Sequence, residues 1–344
     1  MRMKGAFLAM SLALAASTAA PASEPAKPLF ADDSLLRITL RAPIGRLASA
    51  QDRSRVVEGT LATGAESLPV RLSPRGITRL RKETCQFPPL RVDFSGAPPA
   101  QSLFAGQRRL KLVSHCRPSE NFQQHLLLEY LAYRLYNQLT PLSFRVRLAQ
   151  FDYVEDSGKP VTSRLGFFIE EQSDVAARNA MAVARVGART PVPTLNPADA
   201  ARFGVFQYLI ANLDWAMQAG PANDTCCHNS RLVGPGGAPP FATIPYDFDY
   251  SGLVDAPYAV PPEAINVSSV KTRRYRGFCR HNAEALKAAA EIRDQRAALL
   301  AVIAQVPQMS DGTRRKAAAF IERGLNDIAS DQAVTQNLLK NCVG

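Results

Sequence analysis

The chain has 344 residues, which is enough for one large domain or for two lobes. Hydrophobic residues make up 46% of it and charged residues 21%, a composition that is typical of globular proteins and excludes intrinsic disorder. The formal net charge of +11 indicates an acidic or phosphorylated partner, and the alternative is a basic surface that only faces water.

The first 22 residues have the pattern of a secretory signal peptide. Arg2 and Lys4 form a basic start, residues 6–16 form an apolar run, and a small-residue cleavage site ends at Ala22. The alternative is a short membrane anchor, but the apolar run is too short to span a bilayer. We therefore expect a periplasmic or secreted protein with no membrane span after cleavage. Because an exported protein meets little nucleic acid, we expect no nucleic-acid partner.

Six cysteines, at positions 85, 116, 226, 227, 279 and 342, agree with an oxidising compartment, where an even count favours disulfides. Cys85 and Cys116 flank two strand-like runs, so we expect them to form one bond. We expect Cys226 or Cys227 to pair with Cys279. A zinc site that uses the adjacent cysteines is the alternative, but adjacent cysteines rarely share one Zn²⁺ tetrahedron.

After a linker over residues 23–33, residues 34–172 alternate strand-like runs with glycine turns. A helix is predicted from Ser119 to about Leu139, and residues 156–158 predict a hairpin turn. The pattern predicts a strand-rich amino-terminal lobe, with strands at residues 36–40, 70–72, 90–94, 110–113, 144–153 and 164–169.

Residues 173–344 are predicted to form a mainly helical second lobe. Asn196 and Pro197 are a helix start, with Asn as the cap and Pro at the first helical position. The apolar residues that follow recur at helical spacing, so this helix is predicted to be buried and to deliver Asp214 at its carboxyl end. Further helices are predicted over residues 282–304 and 313–328.

Oxygen-donor side chains follow two apolar runs of the second lobe. Asp214 follows the buried helix, Asp247 and Asp249 follow a strand-like run, and Asn229 lies between them. Asp247 and Asp249 share one face in extended geometry, where two like charges need a cation to neutralise them. Such oxygen ligands suit Mg²⁺ (or Mn²⁺) together with substrate phosphates. They therefore predict a metal site at Asn229, Asp247 and Asp249, and the alternative is a turn with Asp caps.

The order of these segments resembles the spore-coat CotH kinase-like family, an outlying branch of the protein-kinase-like superfamily. The resemblance rests on Asn-Leu-Asp-Trp at residues 212–215, on Asn229, and on Pro-Tyr-Asp-Phe-Asp at residues 245–249. Upstream, Lys111 and Glu129 match the strand and the helix that carry the family's lysine and glutamate. The resemblance covers roughly residues 70–255. It implies an α+β, bilobal protein-kinase-like fold.

The resemblance also implies roles for individual residues. Lys111, with Arg109 and Arg75, would hold the phosphates of ATP, and Glu129 would orient Lys111. Glu129 lies in an apolar helical stripe, where a buried carboxylate needs a partner, although a residue at the edge of the stripe would instead reach water. Asp214 would orient the acceptor hydroxyl, and the alternative is an exposed loop aspartate.

Two features depart from the family pattern. Asp214 and Asn229 are fifteen residues apart, where the family has about five, so Asn223 is an alternative metal ligand. No G-x-G-x-x-G loop occurs, and residues 73–79 stand in its place.

The sequence therefore predicts an exported CotH-like atypical kinase that transfers phosphoryl from ATP·Mg²⁺ to a protein hydroxyl. Exported compartments hold little ATP, which keeps two alternatives open. One is a non-catalytic binding or scaffold protein of the cell envelope, and the other is a nucleotidyl transferase (AMPylator). The expected partners are a nucleotide and either a protein with a Ser/Thr hydroxyl or another envelope protein.

Overall fold

Seven strands of the first half of the chain close into a barrel. The structure is a computed structural model that describes residues 23–50, 52–221 and 225–344. The barrel strands are β1 (Leu36–Arg41), β2 (Val57–Thr63), β3 (Glu66–Pro74), β4 (Leu90–Phe94), β5 (Arg109–Val113), β6 (Val146–Val154) and β7 (Pro160–Ile169). Their order around the barrel is β1-β2-β3-β4-β5-β7-β6.

The barrel closes because β1 and β6 pair in parallel, whereas every other neighbouring pair in it is antiparallel. The parallel register runs from Leu36 opposite Ala149 to Arg41 opposite Val154. The predicted bilobal protein-kinase-like fold is therefore wrong, since the amino-terminal region is a closed barrel. The sequence prediction lacked β2 altogether and had no local signal for a pairing between strands so far apart in the chain.

Alternating apolar residues explain the interior of the barrel. Leu72, Val92 and Leu110 lie side by side on β3, β4 and β5, and all three are fully buried. Because side chains of a strand point alternately to its two faces, the intervening residues Arg91, Arg109 and Lys111 lie outside the barrel. This alternation is what carries Lys111 toward the cleft described below.

The longer helices follow the sequence signals, whereas three short ones were not predicted. They are α1 (Ile44–Ala48), α2 (Glu120–Leu139), α3 (Gln172–Arg178), α4 (Pro197–Leu209), α5 (Asn282–Asp294), α6 (Arg296–Gln305), α7 (Asp311–Asp327) and α8 (Asp331–Asn337). The predicted helix ending at Leu139 is confirmed as α2, and the helix predicted over residues 282–304 is divided at Gln295 into α5 and α6. Asn196 caps α4, accepting hydrogen bonds from the backbone nitrogens of Ala198 and Asp199.

A small antiparallel sheet lies among these helices and carries part of the site. Its strands are β8 (Ala182–Val183), β9 (Ser230–Gly234) and β10 (Ala242–Pro245), in the order β10-β9-β8. Strand β10 leads directly into residues 246–249, and β9 begins immediately after Asn229. The helix α4 packs against β10 and α5, so the helical part and the small sheet share one core.

Three disulfides occur among the described residues. The predicted Cys85–Cys116 bond is confirmed. The predicted bond from Cys226 or Cys227 to Cys279 is wrong, because Cys226 and Cys227 bond to each other and Cys279 bonds to Cys342. Backbone pairing between residues 277–279 and Val343 brings the carboxyl end beside Cys279.

The disulfides agree with the expected export, since such bonds form and persist in oxidising compartments. Within residues 23–50, 52–221 and 225–344, no helix has both the length and the apolar character that a membrane crossing requires. The predicted signal peptide, residues 1–22, lies outside the described residues.

Candidate functional site

A cleft of about 820 Å³ opens between the barrel and the small sheet. Its barrel side includes residues 73–79, at the end of β3 and just after it, and Lys111 on β5. Its other side includes Asp214 from the loop after α4, residues 226–229 before β9, and four residues that follow β10, namely Tyr246, Asp247, Asp249 and Tyr250. The volume lies in the range of small-molecule and cofactor sites.

Positive charge dominates the described lining of the cleft. It contains seven arginine or lysine side chains and three carboxylates. The cations are Arg53, Arg75, Arg79, Arg91, Lys111, Arg185 and Arg231, and the carboxylates are Asp214, Asp247 and Asp249. A concave surface with this balance attracts an anionic ligand.

Tyr246 organises three of these cations into one wall. Arg75 donates a hydrogen bond to the Tyr246 hydroxyl, and the guanidinium carbon of Arg231 lies 4.9 Å from the centre of the Tyr246 ring. The ammonium of Lys111 lies 5.7 Å from the same centre. These contacts are within the range of cation–π attraction, so the aromatic ring holds positive groups that would otherwise repel one another.

Asp214 is held at the cleft by two side chains. Its Oδ1 lies 2.7 Å from Nε2 of His228, and its Oδ2 accepts a 2.9 Å hydrogen bond from the side-chain amide of Asn229. Asn229 also donates to the Asp214 carbonyl at 2.8 Å. The hydrogen bond to Asp214 is the largest influence on His228 and raises the pKa of the imidazole. Both oxygens of this carboxylate are therefore oriented.

The second acidic group of the site is a cluster of Glu129, Asp247 and Asp249, in which one carboxylate oxygen from each residue lies within 4.8 Å of the other two. Arg79 bridges the cluster, with Nη2 2.8 Å from Glu129 Oε2 and Nε 2.8 Å from Asp249 Oδ2. Its Nη2 also lies 3.6 Å from Asp247 Oδ1. Tyr258 donates to the same oxygen of Asp249 at 3.0 Å. One cation thus serves three carboxylates.

Burial, together with this shortage of positive charge, perturbs the carboxylates. Burial, helped by the charges of Asp249 and Asp247, outweighs the guanidinium of Arg79 and raises the pKa of Glu129 to about 8. Removal from water and then the like charge of Asp249 raise the pKa of Asp247 to about 6, although 39% of that side chain is exposed at the cleft. Perturbed groups in a cleft are typical of functional sites.

The backbone around the cluster adopts conformations that side chains other than glycine rarely take. Asn229 has φ of 47° and Asp247 has φ of 63°, both in the left-handed region. The Asp247 backbone nitrogen donates to the Tyr133 hydroxyl at 2.9 Å. Glu129 and Tyr133 lie one turn apart on α2. This helix therefore supports the cluster through two side chains, the Glu129 carboxylate and the Tyr133 hydroxyl that accepts from the Asp247 backbone.

The residues present fit a divalent cation in part. Glu129 Oε1 is buried and has no hydrogen-bond partner among the described residues, which marks a site for a further donor or an ion. The Asn229 amide nitrogen is engaged with Asp214, which leaves its oxygen for another partner. Arg79 lies inside the cluster, so an ion that bound all three carboxylates would have to replace its contacts.

The predicted nucleotide-binding residues are distributed differently from the expectation. Lys111 pairs with Glu171 at 3.1 Å, and Glu129 pairs with Arg79, so the predicted Lys111–Glu129 pair is wrong. Burial lowers the pKa of Lys111, although Glu171 acts in the opposite direction. Arg109 lies outside the main cleft, bound to Asp93 at 2.8 Å and facing a separate groove on the barrel surface.

Asp214, Asn229, Asp247, Asp249, Arg75 and Lys111 do line the same cleft. The alternative metal ligand Asn223 lies outside the described residues. Sequence reasoning missed Arg79, His228 and Arg231. Arg231 lies only two residues after Asn229 in the chain, and that proximity was a usable signal. The only sequence signal for Arg79 was its position in a loop rich in basic residues.

Comparisons with known proteins give a distant likeness. No family model matches the chain, and no curated protein sequence matches it. Among solved structures, the chain is similar to a Helicobacter pylori proinflammatory kinase, CtkA, with 8% identity and a TM-score of 0.40. The match covers 72% of this chain and 92% of that chain. A likeness of this size to a kinase assigns neither a family nor an activity, and membership of the CotH kinase-like family stays a prediction.

Proposed function

We propose that the protein is an exported phosphotransferase that transfers a phosphoryl group from a Mg²⁺-complexed nucleoside triphosphate, with ATP as the expected donor, to a hydroxyl of a protein. One observation carries the proposal. A carboxylate oriented through both oxygens, Asp214, shares a cleft with the cation wall around Tyr246 and with the acidic cluster. Binding a polyphosphate and activating a hydroxyl require these two kinds of group side by side.

The cation wall supports triphosphate binding. Arg75 contacts the hydroxyl of Tyr246 and Arg231 contacts its ring, so the two guanidinium groups are held apart while both line the same cleft. Lys111 adds an ammonium that Glu171 holds in place. A planar guanidinium can bind two phosphate oxygens, and an ammonium acts as a point charge, so the three side chains together suit a chain of phosphates.

The acidic cluster supports the divalent cation. Asp247 and the amide oxygen of Asn229 would hold the ion, with Asp249 and the unpartnered oxygen of Glu129 behind them. A bound Mg²⁺ neutralises charge on the phosphate oxygens during transfer. Because the pKa of Asp247 is raised to about 6, metal binding by this carboxylate should weaken as the pH falls toward that value.

Asp214 would accept the proton of the acceptor hydroxyl. The hydroxyl oxygen forms a bond to the terminal phosphorus as the bond from that phosphorus to the bridging oxygen breaks, and the nucleoside diphosphate leaves with that electron pair. The proton passes to Asp214 and then to water. His228 and Asn229 keep the carboxylate oriented during this step.

A second candidate is a binding protein of the cell envelope without catalysis. The observation in its favour is Arg79, whose guanidinium already contacts Glu129 and Asp249 in the position where an ion would bind. If these contacts persist in the presence of nucleotide, the cleft binds an anion without Mg²⁺.

Calorimetric titration with ATP, with and without Mg²⁺, tests the proposal. The wild type should bind ATP more tightly with Mg²⁺. Asp247→Asn should lose about tenfold in that affinity, equal to about 1.4 kcal/mol, because a neutral amide is a poorer ligand for the ion. Asp214→Asn should retain the affinity, since its carboxylate acts only at the chemical step.

The exposed hairpin residue Asp156, changed to Asn, is the matched control. If the wild type binds no ATP, neither the phosphotransferase nor a nucleotide-binding protein without catalysis is supported. Equal affinity with and without Mg²⁺ in the wild type favours the binding protein.

A further inference from the structure

Arg276 contacts the backbone on both sides of Asp214. Its Nη1 donates to the carbonyl of Leu213 at 2.6 Å and to the carbonyl of Trp215 at 2.9 Å. These are the residues immediately before and after Asp214. Residues 212–216 belong to no helix or strand, so no regular ladder of hydrogen bonds fixes the chain there. One guanidinium nitrogen therefore holds the two carbonyls that flank Asp214.

The guanidinium also packs against the neighbouring indole. The Arg276 guanidinium carbon lies 4.7 Å from the centre of the Trp215 ring, within cation–π range. The Trp215 indole nitrogen donates to the Asn212 carbonyl at 2.9 Å, and its ring packs edge-on against Phe203 of α4. The buried Trp215 side chain thus packs between α4 and Arg276. This packing fixes the direction in which the chain leaves Asp214.

The carboxyl end of the chain anchors Arg276 in turn. The Val343 nitrogen donates to the Gly277 carbonyl at 2.8 Å, and the Cys279 nitrogen donates to the Val343 carbonyl at 2.9 Å. The Cys279–Cys342 disulfide closes this short pairing. The backbone that carries Arg276 is therefore tied on its downstream side by hydrogen bonds and by a covalent bond.

We infer that Arg276 is a positioning residue, which holds the Leu213–Trp215 backbone so that the Asp214 carboxylate faces the acceptor hydroxyl. The inference rests on the proposed function and adds to it a residue outside the cleft lining. Arg276 touches no reacting atom in this account and acts through the two carbonyls and the indole. A misplacement of about 1 Å in a catalytic group can lower a rate by about a hundredfold, so loss of this clamp should affect turnover.

The test compares Arg276→Ala and Arg276→Lys with Arg274→Ala, an exposed arginine two residues away. We expect Arg276→Ala to lower kcat by roughly tenfold to a hundredfold, with the affinity for Mg²⁺·ATP unchanged. Arg276→Lys should recover part of the loss, because an ammonium reaches a carbonyl but lacks the planar group that stacks on indole. Low millimolar guanidinium should restore turnover of Arg276→Ala, whereas urea at the same concentration should not.

Trp215 is the single tryptophan of the chain, so its fluorescence reports the clamp directly and without turnover. Emission should shift to longer wavelength in Arg276→Ala and stay unchanged in Arg274→Ala. Normal kcat in Arg276→Ala, or equal losses of kcat and of nucleotide affinity, would overturn the positioning role while leaving the proposed function intact. A wild type that transfers no phosphoryl group would overturn the proposed function and this inference with it.

Discussion

Changing Glu129 to Gln should remove a large part of the pH dependence of folding. Glu129 is 3% exposed and its pKa is raised from 4.5 to about 8. Between these two pH values the folded protein keeps the proton that the unfolded chain has lost. The free energy of unfolding therefore falls as the pH rises through this window, by about 1.4 kcal/mol for each pH unit. Glutamine keeps the shape and the acceptor for Arg79 but does not titrate.

The size of the effect follows from the two pKa values. Between pH 5 and pH 8 the Glu129 carboxyl should lower the free energy of unfolding by roughly 3 to 4 kcal/mol, most of which arises above pH 5.5. Other titrating groups contribute to both proteins, so the difference between wild type and Glu129→Gln isolates this one. As the pH rises, the free energy of unfolding should fall less in Glu129→Gln than in the wild type.

Urea unfolding of the oxidised protein, with EDTA present, measures this difference at several pH values between 5 and 8. Glu263→Gln, at an exposed position, is the control and should follow the wild type. Parallel curves for wild type and Glu129→Gln would refute the reasoning, because they would mean that Arg79 keeps Glu129 ionised throughout this pH range.

Three further predictions concern single positions. Gly277→Ala should destabilise the protein by about 1–3 kcal/mol in urea unfolding, because the added carbon would lie 2.1 Å from the Tyr275 hydroxyl oxygen. Asn196→Ala should lower the free energy of unfolding by about 1 kcal/mol, because α4 loses its cap. The slope of that free energy against urea concentration should stay unchanged. NMR should show that the pKa of His228 lies above 6.5 in the wild type and is lower in Asp214→Asn. The stabilisation that the His228–Asp214 pair gives the fold is fully present below the pKa of the unfolded chain, and it is lost as the pH rises through the pKa of the folded protein. An unshifted His228 in the wild type would contradict that pairing.

Local signals predicted the longer helices, with α5 and α6 expected as one, but did not predict α1, α3 or α8. Helix α4 has a cap, a proline and an apolar period within fifteen residues, and each of these acts over one or two turns. The apolar stripe around Glu129 likewise predicted correctly that this carboxylate is buried. The identity of its partner is not local. Lys111 on β5 pairs with Glu171 instead, and only the packing of the loop after β3 decides that Arg79 reaches Glu129.

The barrel shows the same limit on a larger scale. Alternation predicted β1 and β6 as strands, but a strand's pattern does not identify its neighbour. Their parallel pairing closes the sheet and distinguishes this fold from the bilobal one expected. The proximity of His228 to Asp214 is a further example, since it depends on the path of the loop that joins them.

Transfer from labelled ATP tests the central claim most directly. The mature protein, incubated with Mg²⁺ and a hydroxyl-containing acceptor protein, should transfer label from γ-labelled ATP and none from α-labelled ATP. Asp214→Asn should transfer neither while still binding Mg²⁺·ATP. Label from the α position would instead indicate a nucleotidyl transferase, and γ-label transfer at the wild-type rate by Asp214→Asn would contradict the role of Asp214 on which the proposed function depends.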